Sequence, residues 1–381
     1  MTNSAERRLE DIAKATRLRE GAVGVRTVLD AVHRLGPAPL ADIARAARLP
    51  LPVASAVRRE LEKAGLLDRR GGVALTDDGV EFVTGELGIL APESLIPDAG
   101  LPDPSQSALQ RLQRLLQDAP PVDVTLDQAP CTPETALARA ALMDRQGALQ
   151  GQRILILGDD DSVSLALALH HRAIGAGDLR YPVTVLELDE NRAGFIETAA
   201  AFSDLPVKVV RHDLRDPLPE DFIGQFDVIQ TDPPYTTEGA QLFLRRGAAA
   251  LAPGPGRLGF LSYAQVNGGE QFALNQAILD EGFAIREVLP QFNSYTGASV
   301  LGSVGQMLVI EKANEASSNA AHYGPIYTAE VRPRARAYVC TECGQRYDLG
   351  QGGAPDTIEA LKAMGCPACG AKKFRRQSVN R

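Results

Sequence analysis

The chain has 381 residues, of which 44% are hydrophobic and 23% charged, as is ordinary for a water-soluble globular protein of two or three domains. No apolar run approaches the ~20 residues of a membrane-spanning helix, and the charged start MTNSAERRLEDIAKATRLRE lacks the apolar core of a secretion signal, so we expect a cytoplasmic protein. The net charge is −8, but residues 1–76 carry +5 and the remainder −13, which disfavours a nucleic-acid partner and suits a small polycation.

Residues 1–95 predict a winged-helix domain. Apolar residues recur at helical spacing in AVGVRTVLDAVHRLG, PLADIARAARL and PVASAVRRELEKAGLL, and DRRGGVALTDDG then predicts a short hairpin. Such a domain either binds DNA or packs on a partner or on its own enzyme domain. We favour packing and expect weak, non-specific DNA binding at most.

Residues 96–150 predict a linker with docking helices. The stretch is rich in Pro and Asp around one amphipathic segment, SALQRLQRLLQDA. Further on, Thr132 and Pro133 are typical of a helix start. We interpret Cys131, just before them, as a packed small hydrophobic residue.

Residues 151–335 alternate strand and helix patterns, which predicts a Rossmann-like, methyltransferase-type α/β domain with ligands at the carboxyl ends of its strands. AIREVLPQF and GQMLVIEK predict a closing antiparallel pair. Between them, FNSYTGASVLGSVG (292–305) is either a loop that closes over the site or an ordinary hairpin. The predicted parallel strands are RILIL, PVTVLEL, VKVVRH, FDVIQT and RLGFLS.

Acidic side chains follow the first three predicted strands. Because the carboxyl ends of parallel strands meet at one edge of a sheet, we expect these acids to surround one ligand. An acid after the second strand commonly holds a ribose diol, and one after the third can accept from an adenine amino group. The candidate binding residues are Gly158, Asp159, Asp160 and Asp161 after the first strand, Glu187 and Asp189 after the second, and Asp213 after the third.

Three consecutive carboxylates after Gly158 occupy a position where phosphates or carboxylates usually bind. They would repel the carboxylate of S-adenosylmethionine, at a cost of about 4 kcal/mol for a pair ~4 Å apart. Decarboxylated S-adenosylmethionine lacks that group and is cationic, as is a polyamine. The structural alternative is capping of the next helix, for which one aspartate is enough.

The fourth strand is followed by DPPY, which is Asp232, Pro233, Pro234 and Tyr235. The prolines fix the turn and remove backbone donors, so that nearby carbonyls can face a ligand. Asp232 and a carbonyl can then hold an N–H group that is about to become a nucleophile, and Tyr235 offers a ring face to a base or a cation. Amino-group methyltransferases use such an element to hold a flipped base; the structural alternative is a chance turn.

Residues 336–381 predict a zinc-ribbon-like unit. Two CxxC knuckles stand 22 residues apart, a pattern that favours a metal over disulfides in a cytosolic chain. Four thiolates complete a tetrahedral shell and leave no open position, so we expect structural zinc. The predicted ligands are Cys340, Cys343, Cys366 and Cys369.

Three motifs together resemble the branched-chain polyamine synthases: LGDDDSVSLAL, TDPPYTTEG and the upstream DQAPCTPETALARA. The likeness covers roughly residues 20–335 and excludes the cysteine unit. It implies transfer of aminopropyl groups from decarboxylated S-adenosylmethionine to the secondary amine of spermidine. That amine has a pKa near 10 and must lose a proton before it attacks.

The resemblance implies a role for each candidate residue. Asp159 and Asp232 would bind and deprotonate the nitrogen, with Tyr235 packed against the acceptor. Asp160 and Asp161 would hold flanking ammonium groups, Glu187 the ribose and Asp213 the adenine. The expected partners are spermidine or a related polyamine and a second copy of the chain, with no membrane and no nucleic acid. Two other functions stay open: a nucleic-acid amino methyltransferase that uses S-adenosylmethionine, and a polyamine-sensing regulator.

Overall fold

The structure is a computed structural model that describes residues 4–69, 71–89, 104–175, 178–296, 304–314, 318–331, 336–349 and 358–377. Within these ranges the strands form three sheets, of two, seven and three strands in chain order. None of the helices described is long and apolar enough to cross a membrane.

The front unit, residues 4–89, has the predicted order of three helices and a hairpin. It also begins with a helix that the sequence analysis did not predict, whose apolar side packs inward through Ala5, Leu9 and Ile12. The winged-helix assignment itself stays a prediction. The elements are α1 (Ser4–Thr16), α2 (Gly21–Leu35), α3 (Leu40–Ala46), α4 (Leu51–Lys63), β1 (Leu67–Asp68), β2 (Ala74–Leu75) and α5 (Asp77–Glu81), which runs into a π-helical turn, Phe82–Glu86.

Several arginines of the front unit bond to the rest of the chain. Arg34 Nη2 donates to the Asp144 carbonyl at 3.1 Å, and Arg26 Nη2 donates to the Gln150 carbonyl at 2.5 Å. Arg48 Nη2 lies 2.9 Å from Glu287 Oε2. These contacts agree with the interpretation that the unit packs on its own enzyme domain.

The next segment leads into the large sheet. It contains α6 (Pro104–Leu115), two short 3₁₀ turns at Leu116–Asp118 and Val124–Leu126, and α7 (Pro133–Arg145). Helix α7 starts as predicted, because the Thr132 side chain accepts from the Thr135 N–H. Cys131 is buried in the core as predicted, and burial raises the pKa of its thiol well above the usual range.

All five predicted parallel strands and the closing antiparallel pair are confirmed. The sheet order is β5–β4–β3–β6–β7–β9–β8; the first five strands are parallel, and β9 runs antiparallel to both β7 and β8. The strands are β3 (Ile154–Leu157), β4 (Val183–Glu187), β5 (Val207–Arg211), β6 (Val228–Thr231), β7 (Leu258–Ala264), β8 (Phe283–Ser294) and β9 (Val304–Lys312).

Helices cover both faces of this sheet, because the side chains of β3 point alternately to its two faces. Ile154 and Ile156 point into one hydrophobic cluster with α7 and α8, whereas Leu155 and Leu157 point into another with α10. Of the predicted loop 292–305, the first three residues extend β8, Tyr295 pairs with Cys131, and 297–303 lie outside the described residues. The helices are α8 (Val163–Ala173), α9 (Glu190–Phe202), α10 (Thr237–Ala250) and α11 (Gly268–Asp280), with a 3₁₀ turn at Glu220–Phe222.

The chain then forms α12 (Thr328–Val331) and the small cysteine unit. That unit has an antiparallel sheet in the order β11–β10–β12 and one helix. Its elements are β10 (Arg336–Cys340), β11 (Arg346–Leu349), α13 (Ile358–Met364) and β12 (Phe374–Gln377).

Candidate active site

A cavity, here called the acidic cavity, opens at the carboxyl ends of β3, β4, β5 and β6. It brings together predicted residues from all four strand ends, as the parallel topology requires. Two further segments, 126–129 and 326–327, form walls that the sequence analysis did not predict. The predicted residues that line it are Gly158, Asp160, Glu187, Asp213, Asp232, Pro233, Pro234 and Tyr235.

The turn after β3 divides the three aspartates. Gly158 takes a φ of 71°, which favours glycine. The Asp159 carboxylate then turns back on helix α8, where it accepts from the N–H groups of Val163 at 2.6 Å and Ser164 at 3.2 Å. Asp159 is 1% exposed and does not line the cavity. The structure therefore gives this carboxylate the capping partners that the sequence offered as the structural alternative.

Asp161 is turned away from the cavity and pairs with a buried arginine. Its carboxylate accepts from Arg139 Nη1 and from the Cys131 N–H. Arg139, on α7, is 0% exposed and also donates from Nε to Asn293 Oδ1 at 3.0 Å. The Arg139 guanidinium thus binds Asp161 where the sequence analysis expected an ammonium group of the ligand.

Asp232 is held by the same arginine and by a tyrosine. Its Oδ2 accepts from Arg139 Nη2 at 2.9 Å and from the Tyr295 hydroxyl at 2.8 Å. Its Oδ1 is buried and has no hydrogen-bond partner among the described residues. One oxygen is thus fixed, and the other remains to accept from a ligand.

Asp160 lines the cavity between these groups, and its Oδ2 accepts from the Ala129 N–H at 2.9 Å. Burial and the charges of Asp161 and Asp232 raise its pKa well above the usual range. Burial and the Asp161 charge likewise raise the pKa of Asp232 to about 7, although Arg139 and Tyr295 oppose the shift. Burial raises the pKa of Asp159 to about 7 despite its capping bonds. A cation entering the cavity would stabilise the ionised carboxylates.

Glu187 and Asp189, which the sequence analysis expected to surround the same ligand, have different positions. Glu187 ends β4 and lines the cavity; its two oxygens accept from the N–H groups of Asp159 and Asp189, each at 2.9 Å. Asp189 lies past the strand end, where its Oδ1 caps α9 and its Oδ2 accepts from Gln128 Nε2 at 2.9 Å. Asp189 does not line the cavity.

Asp213 lies at the end of the cavity formed by β5. Burial favours its neutral form, but hydrogen bonds from the Arg215 side chain and backbone outweigh this, so its pKa is lowered. The two side chains are 2.7 Å apart at their nearest atoms. Asp213 is therefore an ionised acceptor whose orientation Arg215 fixes.

Tyr235 stands beside Asp232 within an aromatic group. Its ring meets that of Tyr263 edge to face at 5.4 Å and that of Tyr295 at 6.3 Å between centroids. Such rings present faces and edges on which the alkyl chain or ammonium group of a polyamine can pack.

Arg139, Tyr295 and Gln128 are the functional candidates that sequence reasoning missed. The available signals were a charged residue inside the otherwise apolar TALARAALM helix and the DQAP motif. Neither identifies partners, since Arg139 and Tyr295 are 156 residues apart in the chain.

The four predicted zinc ligands come together in the cysteine unit, with their sulfur atoms within 4.8 Å of one another. The Cys340–Cys369 and Cys343–Cys366 sulfur pairs are each 3.6 Å apart. Thiolates about 2.3 Å from a tetrahedral ion would lie about 3.8 Å apart. The donor set and its spacing fit zinc.

Comparison with known proteins identifies relatives of this architecture. The family model of the branched-chain polyamine synthase A C-terminal domain matches residues 107–337. An uncharacterized protein of Methanocaldococcus jannaschii is 35% identical over 374 residues, which cover 96% of this chain and 92% of that protein. The N(4)-bis(aminopropyl)spermidine synthase of Thermus thermophilus is 32% identical over 289 residues, or 75% of this chain and 80% of that enzyme.

A solved structure is similar over most of the chain. It is the branched-chain polyamine synthase of Thermus thermophilus in complex with N4-aminopropylspermidine and 5′-methylthioadenosine, which is 25% identical with a TM-score of 0.53. The match covers 87% of this chain and 98% of that one.

Proposed function

This chain belongs to the branched-chain polyamine synthase family, and we propose that it transfers aminopropyl groups from decarboxylated S-adenosylmethionine to the secondary amine of spermidine, making branched polyamines. The observation that carries the proposal is the Asp232 carboxylate, with one oxygen held by Arg139 and Tyr295 and the other buried with no partner among the residues that the structure describes. A polyamine nitrogen is the donor that such an oxygen lacks. The complex of the Thermus relative with an aminopropylated spermidine supports the same assignment.

The charge of the acidic cavity supports the decarboxylated donor. Asp160, Glu187 and Asp232 all line it, and a donor carboxylate would meet them at close range. The sulfonium and ammonium groups of the decarboxylated donor would instead be attracted. We propose that Glu187 binds the ribose and Asp213 the adenine, because their strand ends lie on the side of the sheet where β4 and β5 follow β3.

In the proposed reaction the acceptor nitrogen loses a proton and its lone pair attacks the donor carbon bonded to sulfur. The new C–N bond forms as the C–S bond breaks, and sulfur keeps the bonding electrons as a neutral thioether. Asp232 accepts the proton, and Asp160 takes the place beside the nitrogen that the sequence analysis gave to Asp159. Asp159 positions the turn by capping α8. Alignment of nitrogen and carbon supplies further rate acceleration.

We also propose that the cysteine unit holds a structural zinc through Cys340, Cys343, Cys366 and Cys369. The ion would join the two knuckles and stabilise the local fold. None of the four cysteines lines the acidic cavity, so the proposal gives zinc no part in the transfer. A homodimer remains a prediction.

The test is mass spectrometry of spermidine incubated with the chain and either form of the donor. We expect products heavier by one and then two aminopropyl groups with decarboxylated S-adenosylmethionine, and no transfer with the carboxylated form. Asp232→Asn is the matched control, since it keeps the shape of the side chain but removes the proton acceptor. Methylation of an oligonucleotide, with spermidine unchanged, would instead support the methyltransferase alternative. Polyamine binding without turnover would support the regulator.

A further inference from the structure

A second cavity lies at the opposite ends of the strands, between the front unit and the large sheet. Its walls come from α2, the turn after α3, the end of α7, and the first residues of β6 and β7. The centres of water-sized spheres can occupy about 260 Å³ of it, and part of it is open to solvent. That leaves room for a compact ligand such as a small polyphosphate.

The lining of this second cavity is strongly basic. Two aspartates, Asp30 and Asp227, line it, together with a larger set of arginines. We call it the arginine cavity after that set: Arg26, Arg34, Arg48, Arg145, Arg257 and Arg286.

Four of these arginines are neutralised within the chain. The Arg34–Asp30 pair is 2.8 Å apart and the Arg257–Asp227 pair 2.7 Å. Two more pair with carboxylates of β8 and β9, Arg48 with Glu287 at 2.9 Å and Arg286 with Glu311 at 3.2 Å. The sum of formal charges therefore overstates the electrostatic field in the cavity. The arginines that have no carboxylate partner among the described residues determine what it can bind.

Two arginines of the lining are left over, one from the front unit and one from α7. Arg26, on α2, donates to the carbonyls of Gln150 and Leu87, and Arg145 ends α7 with its side chain exposed. In the described part of the chain, no salt bridge joins either one to a carboxylate. Arg257 adds a buried Nε that lacks a hydrogen-bond partner among the described residues.

Burial makes this excess positive charge costly. It lowers the pKa of Arg26 in spite of Asp30 and Asp227, and the neighbouring Arg257 and Arg34 add to the effect. Burial also lowers the pKa of Arg286 in spite of Glu311. A bound anion would offset this cost, and guanidinium groups match phosphate oxygens through paired N–H donors.

We propose that the arginine cavity binds a small anion with two or more phosphate groups, contacted by Arg26 from the front unit and by Arg145 from α7. Because this ligand would touch both sides, it would hold the front unit against the catalytic sheet. The acidic cavity lies at the other ends of the strands, so both ligands can bind at once.

The experiment is calorimetric titration of the full chain with inorganic tripolyphosphate, paired with a thermal melt. We expect one saturable site and a melting temperature that rises with ligand concentration. Arg145→Gln should weaken binding about tenfold, because it removes a charged donor to the anion. Since Arg145 is exposed and pairs with no carboxylate in the described ranges, this variant should fold normally. Arg45→Gln is the matched control, because Arg45 is also exposed, lies on α3 and does not line the cavity.

Competing ligands separate this site from the donor site. Saturation with 5′-methylthioadenosine should leave the tripolyphosphate affinity unchanged, whereas competition would overturn the proposal. Adenosine triphosphate binding much more tightly than tripolyphosphate would indicate a nucleotide ligand, and equal affinity an inorganic one. Lack of saturable binding, equal weakening in both variants, or tighter binding of duplex DNA would each contradict the proposal. Because no turnover is measured, these outcomes are independent of the proposed transferase activity.

Discussion

At the carboxyl ends of the strands, one buried arginine, Arg139, bridges two aspartates, Asp161 and Asp232. At the amino ends the signs are reversed: Asp227 bridges Arg153 at 2.9 Å and Arg257 at 2.7 Å. Each end of the sheet therefore carries a buried counter-ion between two side chains of the opposite charge. Such bridging lowers the cost of gathering like charges in a poorly solvated place.

The two ends differ in what the counter-ion leaves free. Arg139 occupies one oxygen of Asp232 and leaves a single buried oxygen, which favours one well-defined hydrogen-bond donor. Among the described residues, Arg26 on α2 and Arg145 at the end of α7 pair with no carboxylate, which favours a ligand with several oxygens. We therefore infer the ligand of each cavity from its polar groups that lack a partner, and not from the formal charge of its lining.

Removing the free oxygen of the acidic cavity should have the largest effect. We expect Asp232→Asn to lower single-turnover transfer by about 100-fold or more, because the amide cannot accept the proton. Donor affinity should fall less. Glu187→Gln is the matched control: it should weaken donor binding with a smaller effect on saturated turnover. Near-normal turnover in Asp232→Asn would contradict the role given to this residue.

Weakening the hydrogen bonds that Arg139 and Tyr295 donate to Asp232 should have an intermediate effect on turnover, visible in its pH profile. The pKa of Asp232 in the free protein is raised to about 7, and only its ionised form accepts a proton, so kcat/KM should rise with pH through that region. Tyr295→Phe removes an O–H donor that stabilises the ionised form while keeping the ring. We expect its midpoint to lie at higher pH and its turnover at pH 7 to fall about tenfold.

The comparison variant for this experiment is Arg139→Lys. It keeps the positive charge but loses the planar guanidinium whose two terminal nitrogens bind Asp161 and Asp232. It should also shift the midpoint upward. A midpoint that stays in place in both variants would show that Arg139 and Tyr295 do not tune the proton acceptor.

A smaller effect should separate the role of Asp159, which follows β3, from that of Asp232, which follows β6. Asp159→Ala removes the cap of α8 and should lower the free energy of unfolding by about 1–2 kcal/mol, whereas Asp159→Asn, which keeps one of the two acceptor oxygens, should lower it less. Denaturant titration measures both. Saturated turnover should stay close to that of the unchanged chain. A loss of turnover in Asp159→Asn as large as in Asp232→Asn would restore the catalytic role first predicted for Asp159.

The sequence predicted the sheet and the strand ends because both follow from local pattern. Short apolar runs such as ILIL and VTVLE indicate β3 to β7, and parallel strands necessarily bring their carboxyl ends together. It did not separate three adjacent aspartates, because the turn through Gly158 and Ser162, each with positive φ, decides which carboxylate faces helix, arginine or cavity. It also missed Arg139, whose partners Asn293 and Tyr295 come from a distant strand and its end. Such long-range polar contacts leave no periodic signal.

Metal removal should have the smallest effect on either cavity. None of the four predicted zinc ligands lines the acidic or the arginine cavity. We expect elemental analysis to find one zinc per chain. Cys343→Ser or chelation should lower the melting temperature of the cysteine unit, because the ion would hold together two knuckles that share a small sheet and one short helix. Donor and tripolyphosphate affinities, measured on the same samples, should both stay within about twofold, well under the tenfold change expected for loss of one charged hydrogen bond. A fall in transfer that tracks zinc content would show instead that the cysteine unit supports the acidic cavity. A change in tripolyphosphate affinity alone would show that the cysteine unit affects the arginine cavity.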